Sequence, residues 1–289
     1  MRQLLLIPHI HIQNANALSS AITIGFPAMT AWLGGVHALQ RLLNEDGYPS
    51  IRFNKVAICS HAFHLHTHKG YGDYHHSIIG TANPLDKDAT RPSFIEEPRC
   101  RLEVSLVVEY DGLSEPDGFI EKVATLLHSR MKLAGGDILK FGVPVLLDIE
   151  QDEDLKHLVR KLMPGYVLIE RRDLMEEAMQ QGQDALAALL DYLAVQHRSH
   201  EDEDGSVTWS SQRKSAGWIV PIATGFQGLT PLGQALRQRD MDKPHRFAEA
   251  VVTLGEFVMS YRITDLDDML WQYHADLENN LYICQQNKK

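Results

Sequence analysis

The stretch from Gln13 to Arg41, QNANALSSAITIGFPAMTAWLGGVHALQR, constrains the fold more than any other in the chain. A Leu- and Ile-rich run over Leu4 to Ile12 precedes it and predicts a first strand, with Pro8 marking an edge position or a bulge. Asn and Ser side chains imitate backbone hydrogen bonds, so QNANALSS reads either as a well-capped loop or as a turn that holds a ligand. After Gly25-Phe26-Pro27 the pattern predicts a helix to about Asn44, with Pro27 in its first turn and Ala31, Leu33, Leu39 and Leu42 on its apolar face. Gly34-Gly35 costs that helix about 1 kcal/mol per glycine. Such a cost calls for close approach by a strand, another protein or a nucleotide backbone.

Val56 to Ser60 predicts a second strand, and Arg99 to Tyr110 a third, on the alternation of Leu102, Val104, Leu106 and Val108. Ile120, Val123, Ala124, Leu127 and Met131 give Asp117 to Leu133 a helical period, and Ile138 to Leu147 offers a further strand. Strand, helix, strand, strand, helix, strand is the order of a ferredoxin-like split βαβ fold, so the class expected is α+β. Many RNA-binding domains are built this way, although the aromatic signature of a standard RRM is missing. On this reading residues 1–150 form the RRM-like core with a hairpin insertion near 61–98. Residues 151–289 form a helical and mixed part that packs on the core without being an independent domain. Helices are expected over about Asp152 to Met163, Leu174 to Gln196 and Phe247 to Met259. Glu201 to Gly205 reads as a solvated loop, Trp218 to Leu232 as strand and turn, and Tyr282 as part of a last short strand.

The net charge of -10 argues against bulk attraction to nucleic acid, but the charge is unevenly spread. Residues 1–140 carry 13 Lys and Arg against 14 Asp and Glu, while residues 141–289 carry 15 against 24. Ten of the 15 histidines fall in the near-neutral first half, so a local polyanion site is compatible with the acidic total. Cys59, Cys100 and Cys284 lie far apart with no CxxC spacing, which points to neither a disulfide framework nor a thiolate zinc site. The apolar run Leu4 to Ile7 is too short for a membrane span, and a cytoplasmic protein is expected.

His61, His64, His66 and His68 place three histidines on one face of an extended strand. A metal site is the sharp reading, but cysteine partners and an HExxH motif are lacking, and no metal or cofactor is expected. The same segment also reads as an exposed hairpin arm or, with Tyr71 and Tyr74, as a surface that lies along a nucleic acid. No GxSxG elbow occurs, and Glu96-Glu97 and Asp267-Asp268 are adjacent rather than facing. Metal-independent RNA cleavage by His37, His61 and His64 is the one catalytic alternative. Arg99 and Arg101 share a strand face with Glu103, either as a surface charge row or as a phosphate contact. Arg130 and Lys132 precede Gly135-Gly136, which reads as a helix C-cap or as a bare loop against a polyanion.

QNANALSS, GFPAMTAWLGGVHALQR, IEEPRCRLEVSLVVE, MKLAGGDIL, GWIVPIATGFQGLTPL and DDMLWQYHADLENNLY, in that order, span nearly the whole chain. Together they resemble the second Csy proteins of type I-F CRISPR surveillance complexes, the Cas-five-type subunits. The resemblance implies an RRM-like core with a β-hairpin thumb and helical insertions. It also implies a non-enzymatic subunit that caps the 5′ handle of the guide RNA (crRNA). The implied partners are the large Csy subunit, the repeated backbone Csy subunit and, within the complex, target double-stranded DNA. Gln13, Asn14, Asn16, Ser19 and Ser20 would be polar RNA contacts, and Arg130, Lys132, Gly135 and Gly136 a phosphate loop. His37, Arg41, Arg99 and Arg101 are further candidates, with packing or surface pairing as the other reading. The chain departs from the family pattern at Ala82, where an arginine usually precedes the Asn-Pro-Leu element, at Gly35, where an aromatic is usual, and in the histidine-rich arm from His64 to His76.

Overall fold

A computed structural model of the chain describes residues 1–81, 87–90, 97–202, 204–238 and 240–287. The first half contains β1 (Arg2–Asn16), β2 (Leu18–Ser20), β3 (Thr23–Ile24), α1 (Met29–Glu45), β4 (Arg52–Leu65), β5 (Thr67–His68), β6 (Ser77–Ile78), β7 (Gly80–Thr81), β8 (Glu97–Asp111), α2 (Phe119–Ser129), β9 (Lys132–Leu133), β10 (Gly136–Lys140) and β11 (Val145–Ile149). The second half contains α3 (Asp152–Lys161), β12 (Tyr166–Glu170), α4 (Arg172–Gln180), α5 (Ala185–Leu193), β13 (Gln196–Glu201), β14 (Val207–Gln212), β15 (Ile219–Gly228), β16 (Ala248–Met259), β17 (Trp271–Asp276) and β18 (Leu281–Gln286). The expected α+β class is observed, with antiparallel pairing in every named ladder. No helix among the described residues is long and apolar enough to cross a membrane.

β1 is central. It pairs with β8 along one edge, and along the other with β11 and then β10, while β4 flanks β8. Leu4, Leu5, Leu6 and Ile7 are all buried because both faces of β1 are covered. Leu5, Ile7, Ile10 and Ile12 pack with α1 and α2, while Leu4 and Leu6 pack with α3 and the segment from Ile263 to Leu270. Of the two roles open to Pro8, the structure has the bulge. The ladder to β8 shifts between Ile7 and Ile10, His9 takes a φ of 52°, and the partner on the far edge changes from β11 to β10. A residue without an N–H fits that break, where Pro8 O instead accepts from Gly142 N at 2.8 Å.

Met29, Trp32, Leu33, Val36, Leu39 and Leu43 form the buried face of α1 at helical spacing. The glycine pair serves close packing. A Cβ on Gly35 would lie 2.6 Å from Leu133 Cδ2, whereas one on Gly34 would only touch the Tyr273 hydroxyl at 3.8 Å.

The sheet order is β12-β16-β15-β18-β17-β4-β8-β1-β10-β9, and β12 also pairs with β4. Six strands thereby close a ring of pairings, which the sequence did not suggest. Several sequence expectations fail locally. Phe247 to Met259 is not a helix: Ala248–Met259 is strand β16, flanked by β15 and β12, and its Val251, Val252 and Thr253 favour that state. The helix expected over Leu174 to Gln196 breaks at Gly182, where φ is 92°, and Asp184 caps α5 through Ala187 N at 2.9 Å. Its expected end belongs to β13, half of a hairpin exposed along both strands, with Asp202, Gly205 and Ser206 hydrogen-bonded at its turn. Ile138 to Leu147 divides between β10 and β11. Helix α2 stops at Ser129, so Lys132–Leu133 is strand, and Gly135-Gly136 is no helix C-cap. Ala134 and Gly135, at φ 49° and 75°, instead make the two-residue turn between β9 and β10. Asn83-Pro84-Leu85, with Ala82 before it, lies outside the described residues.

Candidate functional site

The polar turn after β1 meets the β9–β10 turn at one corner of the sheet. A second bulge between Ile12 and Ala15 lets Asn14 adopt φ 56°, a conformation Asn tolerates better than most residues. Asn16 N donates to Ala134 O at 2.8 Å, which ties the two turns together. The Asn16 amide closes on Leu18, accepting from its N–H at 3.1 Å and donating to its carbonyl at 3.2 Å. Arg99, opposite Asn16 in the ladder, donates to Asn14 O at 3.4 Å and pairs with Glu97. Asn16, Ser19, Glu97, Arg99 and Gly135 line a recess of about 510 Å³ beside the start of α1. Gln13 and Asn14 stand exposed next to it. Ser20 is buried, and its hydroxyl is engaged by Thr23 Oγ1 at 2.6 Å and Ile22 N at 3.2 Å.

The other candidates are dispersed. Gly136 is buried against β1, where a Cβ would meet Gln13 O at 2.6 Å and Ala15 N at 2.8 Å. Lys132 is exposed and paired with Asp137 at 2.8 Å. Arg41 and Arg130 are exposed, and neither has an ion-pair partner among the described residues. His37 lines a separate groove with Phe53, Tyr273 and Tyr282, away from the corner recess. Arg101 lines a third recess with His11, His64 and Glu103.

Around Glu103 the strand pleat gathers histidines on the sheet face opposite α1. Glu103 accepts from His9 Nδ1 at 2.8 Å and lies 3.6 Å from His11 Nε2. Burial alone would raise the Glu103 carboxyl, but the His9 hydrogen bond and the nearby histidines outweigh it and hold the group below its usual range. The His61 ring stacks on His9 with centroids 4.3 Å apart. Its Nδ1 lies 2.7 Å from Pro164 O, which can only accept, so Nδ1 carries the proton and Nε2 accepts from the Ser105 hydroxyl at 2.7 Å. Burial of this ring lowers its pKa despite the bond to Pro164. Both nitrogens are thus occupied in the neutral form, and Ser105 is fully buried. Among the described residues no group of three or more His, Cys, Asp or Glu is arranged to hold a metal ion.

Beside the corner lies an apolar pocket of about 330 Å³ that the sequence gave no reason to expect. Phe26 and Phe257 form its buried floor, and Phe63, Tyr166 and Trp218 its exposed rim. Neighbouring rings lie 5.2 to 6.3 Å apart from Tyr166 through Trp218, Phe257 and Phe26 to Phe63. These residues come from β4, β12, β16, the segment before α1 and the segment before β15, so only the folded chain unites them.

The family described as CRISPR-associated protein (Cas_Csy2) matches residues 5–284. The CRISPR-associated protein Csy2 of Pseudomonas aeruginosa (strain UCBPP-PA14) is 33% identical over 309 residues, covering 96% of this chain and 94% of that protein. A match along almost the full length of both chains takes in the first strand, the polar corner and the closing ring of strands alike, and the chain therefore belongs to the Csy2 family of CRISPR-associated proteins, subunits of type I-F surveillance complexes.

Proposed function

We propose that the chain binds and caps the 5′ handle of the guide RNA without cutting it, and that it joins the large Csy subunit to the repeated backbone subunit for recognition of double-stranded DNA. The observation that carries this reading is the corner recess. There Asn16, Ser19, the Arg99 guanidinium and the bare backbone of Gly135 face one space, with the left-handed Asn14 exposed beside it. Single-stranded RNA is held by such mixtures of amide, hydroxyl and guanidinium donors around splayed nucleotides. A phosphate arriving at Arg99 would exchange with Glu97, and one at Lys132 with Asp137. Arg130 lies beyond the end of α2, just before that hairpin.

The strand order β4-β8-β1-β10, with α1 after β1 and α2 after β8, supports a ferredoxin-like, RRM-like core within residues 1–150, on which 151–289 packs. The arm after β4 is the candidate thumb. A cytoplasmic, ribonucleoprotein-bound location follows from the same reading. Histidine-based RNA cleavage is not favoured, because His37 and His61 line different recesses and both His61 nitrogens are occupied.

The test is a gel-shift with guide RNA. Removing the handle weakens binding on this proposal, and Arg99→Ala weakens it for the intact RNA while lowering the salt slope by about 1. Equal binding with and without the handle would sink the reading.

A further inference from the structure

The aromatic pocket next to the corner has the features of a ligand site. Its volume, about 330 Å³, lies at the lower end of the roughly 300–1,000 Å³ of small-molecule pockets, enough for one flat ring system rather than for a helix. Five linked rings supply its floor and rim, and Trp218 on the rim is 52% exposed. The polar side is equally specific. Ser60 is 8% exposed, lines the pocket, and its hydroxyl has no hydrogen-bond partner among the described residues. This hydroxyl still reaches solvent, so a ligand's polar edge can replace water at it. His61, its neighbour, cannot satisfy it, since Pro164 and Ser105 occupy both ring nitrogens.

We propose that this pocket receives a single unpaired nucleobase of the guide RNA, stacked against Trp218 and hydrogen-bonded at its edge by Ser60. The proposal rests on the corner being the path of the RNA. Ser19 joins the two places, because it lines both the corner recess and the pocket. A nucleotide held at the corner by Arg99 and Asn16 thus has an aromatic slot directly beside it. A base satisfies both halves of the site, a π-face for the rings and a polar edge for Ser60. An apolar protein side chain would fill the space and leave Ser60 unpaired.

The experiment uses the full chain and guide RNAs whose handle carries one abasic nucleotide, moved through each position in turn. With the wild type, one abasic position lowers affinity about 5- to 150-fold, the range of a base stacked on an aromatic ring. In Trp218→Ala the intact RNA loses a similar factor and that abasic position costs nothing more, whereas Trp218→Phe keeps most of the penalty. Arg99→Ala weakens every RNA alike and leaves the penalty unchanged. A melting curve like that of the wild type shows that Trp218→Ala is folded, as expected for a half-exposed side chain. Handle-dependent binding with the same abasic profile in wild type and Trp218→Ala would overturn the pocket assignment alone. Binding that ignores the handle would overturn the corner reading and the pocket together.

Discussion

Gly136→Ala tests how the candidate corner is built. The added Cβ would lie 2.6 Å from Gln13 O, 2.6 Å from Ile12 Cγ2 and 2.8 Å from Ala15 N. Two of those neighbours are backbone atoms of β1 at its second bulge, so no rotamer change relieves the contact. β10 has to move away from β1 by several tenths of an ångström. Overpacking of this kind costs about 1–3 kcal/mol. Weakening the adjacent ladder bonds at Ile12↔Ile138 and Gln13↔Asp137 adds about 1 kcal/mol. The expected loss is therefore roughly 2–4 kcal/mol, a large share of the ~5–15 kcal/mol that holds a domain folded. Urea denaturation of the full chain measures it as a fall in midpoint at constant slope. Gly34→Ala is the control, since its Cβ meets only the Tyr273 hydroxyl at 3.8 Å and removal of a mid-helix glycine stabilises by about 0.5–1 kcal/mol. A Gly136→Ala protein within about 0.5 kcal/mol of wild type would refute the packing argument, because ordinary surface substitutions stay in that range.

Trp271 is buried and its indole N–H donates to Leu168 O at 2.9 Å, which fastens β17 to β12 across the ring of strands. Trp271→Phe should cost roughly 2–4 kcal/mol, from an unmade buried hydrogen bond and lost ring volume, read by the same denaturation. His61 gives a pH dependence. Burial keeps its folded pKa below the 6.5 of the free side chain, so the unfolded chain takes up the proton first as pH falls. Its contribution is intact above about pH 6.5 and is lost as pH drops through the lower folded value. Glu103 titrates below its usual range and so outside the interval from pH 7.5 to 5.5. The melting temperature should fall across that interval, and less so in His61→Gln; identical slopes would exclude the ring as the source.

The elements read correctly from sequence are those whose pattern is fixed by one face and one neighbour. Helix α1 is legible because its apolar residues repeat every three or four positions, and β8 because Leu102, Val104, Leu106 and Val108 alternate. Strand β16 is not legible because Ala250, Val251, Leu254 and Val258 also fit a helical period, and only pairing on both edges by β12 and β15 decides the matter. Gly135 and Gly136 stand as a pair in the sequence, yet they do different things. Gly135 supplies a positive φ in a hairpin turn, and Gly136 lets two strands touch. Conformation and close approach both select glycine, so sequence alone cannot separate them. The corner itself is legible, since Asn14, Asn16 and Ser19 are polar residues close together at a strand end. Its partner Arg99 joins through the β1–β8 register, 83 residues from Asn16 along the chain. The aromatic pocket was invisible for the same reason.

Photocrosslinking of a guide RNA that carries 4-thiouridine in its handle, followed by mapping of the joined peptides, tests the central claim most directly. The account predicts crosslinks within residues 13–20 and 130–137, lost when the handle is removed. Crosslinks confined to the exposed β13–β14 hairpin, or unchanged by removal of the handle, would contradict it.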